Sequence, residues 1–160
     1  MDISAALFNC VRSGHVLLNE PMSKHTSFKT GGPADYLVCP ENLDELKSVI
    51  DILKSNNINY VVFGKGSNML VSDMGIDGAV IYMGNFSQIK SDGNIITAGC
   101  GAGLSSIALN AFENSLTGFE FASGIPGTLG GAVFMNAGAY GNEMKDVIKW
   151  VRAIDDDLNE

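Results

Sequence analysis

Apolar positions recur at helical spacing in three stretches of the chain. Ile3, Ala6, Leu7, Cys10 and Val11 fall on one face of a helix that Asp2 would cap and Gly14 would stop. Leu43, Leu46, Val49, Ile50 and Leu53 form the stripe of a second helix, ended by Asn56-Asn57. Leu104, Ile107, Ala108, Ala111 and Phe112 form a third. Short apolar runs lie between them: Ala34 to Cys39, closed by Pro40, then Tyr60 to Phe63, Met69 to Ser72 and Ala79 to Met83. Their length and composition predict strands, with 60–63 a buried one and Asp73 to Gly78 a connecting loop. Strand, helix and strand over 34–63 make a βαβ unit, whose crossover is right-handed in nearly all sheets. Residues 16–32 are irregular and polar, and no element is expected there.

The second half changes character. Ser87 to Lys90 and Asn94 to Ala98 flank Ser91-Asp92-Gly93, an Asp-Gly hairpin signal. Residues 118–141 are too apolar for a flexible linker and too rich in glycine for a strand or helix. Val147 to Ile154 reads as a strand entering a turn at Asp155-Asp156-Asp157. The pattern predicts a mixed α/β chain of two lobes, a βαβ lobe over about 1–83 and a mainly antiparallel lobe over about 84–160.

Composition narrows the function classes. Gly at 19 of 160, without a collagen period, implies tight turns or close backbone approach to a ligand. A net charge of -8 opposes nucleic acid as a partner, since phosphate backbones need a basic stripe. Cys10, Cys39 and Cys100 are odd in number and show no metal spacing, so they read as reduced thiols of a cytoplasmic protein. The first residues lack a signal-peptide pattern, and no apolar run approaches the ~20 residues that span a bilayer. His15 and His25 read as surface histidines, and no Ser-His-Asp, paired-carboxylate or metal constellation is visible.

The candidate chemistry lies in glycine-rich loops. Gly64-Lys65-Gly66-Ser67-Asn68 follows the strand 60–63, where open α/β sheets bind ligands. Successive N–H groups there can form an anion nest, with Ser67 and Asn68 as added donors; a plain tight turn is the competing reading, and Lys65 reads first as an exposed lysine and second as a phosphate contact. The spacing is not that of a Walker A loop. Gly99-Cys100-Gly101-Ala102-Gly103 has Leu104 where a dinucleotide fingerprint needs its third glycine, so it reads as a turn at a helix N-terminus. Ser123 to Ala132 suits a backbone lying against a flat ligand, or alternatively a buried crossover. Tyr140 is either a stacking ring or a core tyrosine.

Four motifs together, HTSFKTGGPADY at 25–36, FGKGSNMLVSD at 63–73, AGCGAGL at 98–104 and LTGFEFASGIPGTLGGAVFMNAGAYGNE at 116–143, resemble the UDP-N-acetylenolpyruvoylglucosamine reductases, also called UDP-N-acetylmuramate dehydrogenases. The resemblance covers nearly the whole chain. It implies an α+β FAD-binding domain of the vanillyl-alcohol-oxidase (PCMH) type, with non-covalent FAD between two lobes. By position it assigns Gly64, Lys65, Gly66, Ser67 and Asn68 to the FAD pyrophosphate. Gly124, Ile125, Pro126, Gly127, Thr128 and Gly131 would run along the flavin. Asn136, Gly138 and Ala139 would help line the site, and Thr30 and Gly31 would lie toward the adenine.

The resemblance further implies an oxidoreductase of peptidoglycan synthesis. NADPH reduces the FAD, and the flavin then reduces the enolpyruvyl group of a nucleotide sugar. The family's catalytic Tyr-Arg pair, proton-donating serine and late glutamate, with its substrate domain, are expected beyond residue 160, so no catalytic residue is assigned here. The chain alone is expected not to complete the reaction, and to self-associate through apolar surface that domain would cover. Two alternatives fit the same loops: the module of another non-covalent flavin oxidase, and a non-catalytic nucleotide-binding fragment. Covalent flavin oxidases are disfavoured, because Ser67-Asn68 stands where many of them carry a histidine.

Overall fold

A computed structural model describes residues 2–12, 15–155 and 157–160. The first helix, α1 (Ile3–Cys10), starts where Asp2 accepts the N–H of Ala5 at 3.3 Å. Its expected stop at Gly14 and the middle residue of the acidic turn, Asp156, lie outside the described residues. Strands β1 (Val16–Pro21), β2 (Pro33–Val38), β3 (Tyr60–Phe63) and β4 (Ile76–Tyr82) form one sheet in the order β1-β2-β4-β3. β1 runs antiparallel to β2, while β4 is parallel to both β2 and β3.

Helix α2 (Leu43–Ser55) connects β2 to β3, but the two strands it joins are not neighbours. β4 occupies the slot between them. Buried on both faces, β4 reads as a continuous apolar run, which is the signature of a central strand in a mostly parallel sheet. Ala79 and Ile81 join Val38, Leu7 and the stripe Leu46, Val49, Ile50 and Leu53 in the core beneath α1 and α2. Val80 points the other way, into a second core with Met22, Ala34, Leu37, Phe63 and Val71.

Helix α2 has a reciprocal N-terminal cap. The Asn42 side chain accepts the Glu45 N–H at 2.9 Å and donates to the Glu45 carboxylate at 3.1 Å. Replacing Asn42 by alanine is expected to cost about 1 kcal/mol. Thermal unfolding followed by circular dichroism would read this as a fall of roughly 2–4 °C; an unchanged midpoint would remove the cap from the account.

Several elements differ from the sequence expectation. β1 was not expected, because Leu17 and Leu18 are adjacent and both about 40% exposed, and Asn19 sits at φ 50; an edge strand so interrupted carries no period-2 signal. β3 is an edge strand, with Val61 and Val62 exposed and Phe63 alone buried. Met69 to Ser72 is not a strand: Val71 packs under Gly31, and Ser72 accepts the Gly32 N–H at 2.8 Å. β4 begins at Ile76, within the stretch read as a loop, and Gly78 donates to Asp35 at 2.9 Å beside a register shift in β2.

The second half holds a hairpin of β5 (Ile89–Asp92) and β6 (Ile95–Ala98), whose turn is Gly93-Asn94. Helix α3 (Leu104–Glu113) follows, with Gly103 at its N-cap. Leu129 to Phe134 then forms helix α4, although its Leu-Gly-Gly-Ala sequence favours none. Packing decides this: Leu129, Ala132 and Val133 join Leu104, Phe121, Ala122 and Met144 in a third core. A small hairpin of β7 (Gly138–Ala139) and β8 (Asn142–Glu143) leads into helix α5 (Met144–Val147). The strand expected over 147–154 is absent. Ile154 and Leu158 instead rest on the α1/α2 core, and Glu160 reaches Lys47 at 3.5 Å and Arg152 at 3.3 Å.

Candidate functional site

The loop 64–68 leaves the carboxyl end of β3, and its backbone is held from two sides. Gly66 has φ +64, a conformation that side chains disfavour, and a Cβ there would strike the His25 carbonyl oxygen. Its own carbonyl accepts the Ser27 N–H at 3.1 Å. On the other side Gly64 lies against the Thr128 side chain, so closely that a Cβ would overlap the hydroxyl. Ser67 faces Gly127, whose Cβ position is 3.4 Å from the Ser67 hydroxyl.

Among the described residues, no acceptor takes the N–H groups of Gly64, Lys65, Gly66, Ser67 or Asn68. Five successive donors thus stand at a strand end, with Lys65 and Asn68 exposed. Such a row costs little in water and is free to bind an anion. The opposing segment is likewise rigid but open. Its frame is the turn 99–103: Leu104 donates to the Gly127 carbonyl at 3.2 Å, Leu129 to Ala102 at 2.8 Å, and Gly130 to Cys100 at 2.8 Å. Gly130 approaches Cys100 so nearly that a Cβ would lie 2.8 Å from the cysteine Cβ. The N–H groups of Gly127, Thr128 and Gly131 have no acceptor among the described residues.

The structure therefore brings Gly64, Gly66 and Ser67 together with Gly127 and Thr128, and Gly131 follows one turn on. Thr128 is 8% exposed and its hydroxyl lies between Gly64 and the Gly131 backbone. Gly124 and Pro126 are exposed, while Ile125 turns into the third core. Among the described residues, no hydrogen bond joins Thr30 or Gly31 to the loop. The Thr30 carbonyl accepts the Thr26 hydroxyl at 2.8 Å, and Gly31 packs on Val71.

Asn136, Gly138 and Ala139 belong to a separate hairpin. The Asn136 amide is consumed there, donating to Glu143 at 2.7 Å and accepting from the Lys145 N–H at 3.0 Å. Tyr140 and Gly141 both have positive φ, as a tight two-residue hairpin turn demands. Tyr140 is 93% exposed, which removes the core reading. A cavity of about 400 Å³ beside it is lined by Gly118, Glu120, Phe121, Tyr140 and Asn142.

Sequence reasoning gave no site role to His25-Thr26-Ser27, although the motif at 25–36 begins there. The segment lacks any period, and nothing local in its run of small hydrogen-bonding residues ahead of Gly31-Gly32 points to the loop at 64–68. His25 is not a surface histidine. It is half-buried, its ring meets Phe63 edge-on at 6.5 Å, and its Nε2 lies 2.9 Å from Glu20 Oε1. That hydrogen bond, with a further one from Lys24, holds the Glu20 carboxyl below its usual range against a smaller opposing effect of burial. All three cysteines are free, and burial pushes their thiols up, so none is an activated nucleophile. Among the described residues no group of three His, Cys, Asp or Glu is placed to hold a metal, and no helix is long and apolar enough to cross a membrane.

The chain is similar in sequence and in fold to known proteins. UDP-N-acetylenolpyruvoylglucosamine reductase of Caldanaerobacter subterraneus subsp. tengcongensis is 51% identical over 149 residues, which is 93% of this chain and 49% of that protein. The chain thus spans about half the length of the curated relatives it matches. The crystal structure of the corresponding reductase from Thermus caldophilus superposes with a TM-score of 0.65 at 36% identity, covering 82% of this chain and 45% of that one. Phl p 4, a grass pollen allergen with glucose dehydrogenase activity, shares the fold alone, with a TM-score of 0.60 at 13% identity over 70% of this chain and 26% of its own. The FAD binding domain profile matches residues 34–157, from the second residue of β2 through α5 and beyond. The chain belongs to the FAD binding domain family.

Proposed function

We propose that this chain holds FAD non-covalently for a cytoplasmic, NADPH-dependent reductase that converts UDP-N-acetylglucosamine enolpyruvate to UDP-N-acetylmuramate for peptidoglycan, and so serves cell shape and division. The observation that carries the cofactor assignment is the row of five acceptor-free N–H groups at Gly64–Asn68 packed against Gly127 and Thr128. A pyrophosphate fits this cradle, which offers unpaired donors and, at Gly64 and Gly66, no side chain to block its approach. The choice of substrate rests on the names of the similar reductases.

In this reading Gly64, Gly66, Ser67 and Asn68 donate to the pyrophosphate, and Lys65 offers a counter-charge from the exposed side. Gly124, Gly127, Thr128 and Gly131 present N–H groups with no acceptor among the described residues along the flavin edge, while Ile125, whose N–H is held by Ala122, and Pro126, which has none, shape the backbone between them. Thr30 and Gly31 shape the wall toward the adenine. Asn136, Gly138 and Ala139 act by fixing the hairpin that borders the site. FAD supplies the hydride-carrying chemistry when bound, while the chain orients it and excludes water.

The test is a fluorescence titration of the flavin-free chain with FAD. Saturable binding is expected, with competition by ADP and full release of the flavin on acid denaturation. A folded chain that takes up no FAD overturns the assignment, and flavin retained after acid would point to a covalent oxidase.

A further inference from the structure

Glu20 and His25 lie outside every role assigned above, yet His25, held by Glu20, meets the loop at its start and at its centre. The His25 ring packs edge-on against Phe63, the residue immediately before the loop, and the His25 carbonyl abuts Gly66 within it. The His25 backbone is anchored in turn, since its N–H donates to the Met22 carbonyl at 2.8 Å. An ionised carboxylate can only accept, so the 2.9 Å contact to Glu20 is a bond from His25 Nε2–H, and it fixes the ring's rotation. Glu20 sits on β1 opposite Ala34 of β2, so the sheet itself supplies the anchor.

From this arrangement we infer that Glu20 and His25 are positioning residues for the anion-binding loop, which hold Gly66 in its positive-φ state before any ligand arrives. The reason is entropic. A row of N–H groups converges on an anion at low cost only if the backbone is ordered in advance. From this side the central residue is restrained by the Ser27 N–H to Gly66 O bond and by the backbone of His25 and Thr26. The role deepens the FAD assignment and rests on it, but the order of the empty loop can be read without a ligand.

The experiment compares the chain with its H25L, H25Q and E20L variants. Leucine keeps apolar bulk against Phe63 and removes the bond to Glu20, whereas glutamine can restore a donor. H25L and E20L are expected to bind FAD and ADP about tenfold more weakly, the effect of losing one hydrogen bond to a charged group. Riboflavin, which has no pyrophosphate, is expected to bind all variants alike, and H25Q to recover most of the loss. In the ligand-free chain, hydrogen exchange at the Ser27 amide should quicken at least about tenfold in H25L, because its acceptor is on Gly66. Equal FAD and ADP affinities in all four proteins, riboflavin affinity falling in parallel, or unchanged Ser27 exchange would each overturn the inference. Faster Ser27 exchange in a chain that binds no FAD would support the positioning role while sinking the cofactor assignment.

Discussion

Replacing Gly66 by valine is expected to weaken FAD binding at least a hundredfold. Two penalties combine. A left-handed backbone costs an L-residue roughly 1–2 kcal/mol, and more for a β-branched one. The new Cβ would also strike the His25 carbonyl, with Thr26 Cα only 3.2 Å away. The collision cannot be relieved by a rotamer change, because both obstacles are backbone. Relief requires the loop to turn, which breaks the Ser27–Gly66 bond and scatters the donor row. Fluorescence titration gives the affinity, and circular dichroism shows whether the sheet survives. A folded G66V chain binding FAD within about fivefold of the parent would mean that the loop is not the cradle.

The largest loss of stability is expected from Leu104→Ala. Leu104 is fully buried at the start of α3 and packs in the third core with Phe121, Ala122, Ala132 and Met144. Truncation of such a leucine costs about 3 kcal/mol, the sum of lost transfer energy and the cavity left behind. For a chain of this size that is a fall of roughly 6–12 °C in the unfolding midpoint. The site should loosen too, since the Leu104 N–H carries the Gly127 carbonyl. A midpoint lowered by less than about 3 °C would show that this core collapses around the gap.

The three long helices were legible because each repeats its own pattern locally. Leu46, Val49, Ile50 and Leu53 are buried as their spacing requires, and Asn42 and Asp2 cap where capping chemistry predicts. The glycine loop was legible for the same reason, its residues being contiguous. What the sequence did not reveal depends on contacts between distant segments. Nothing in Ile76-Asp77-Gly78 announces a strand until β2 is beside it, and nothing in Leu129-Gly130-Gly131 announces a helix until Leu104 and Met144 cover it. The partners of the loop, His25 and Thr128, lie about 40 residues before it and about 60 after it, beyond the reach of any local period.

The position of β4 has a consequence for how the chain is made. While it emerges from the ribosome, β1 and β2 can pair as soon as residue 38 is free, but β3 then has no neighbour at all. Its ladder, Tyr60 to Phe63 against Ala79 to Tyr82, exists only after β4 has been synthesised and has slotted in between. Until that moment α2 has half a sheet to lie on and Val61, Val62 and Phe63 are bare. The strand that launches the cradle is therefore among the last of its sheet to be secured, so a nascent chain delayed between residues 63 and 76 would be most open to mispairing there, and a slowly inserted β4 would limit the rate at which a binding-competent loop appears.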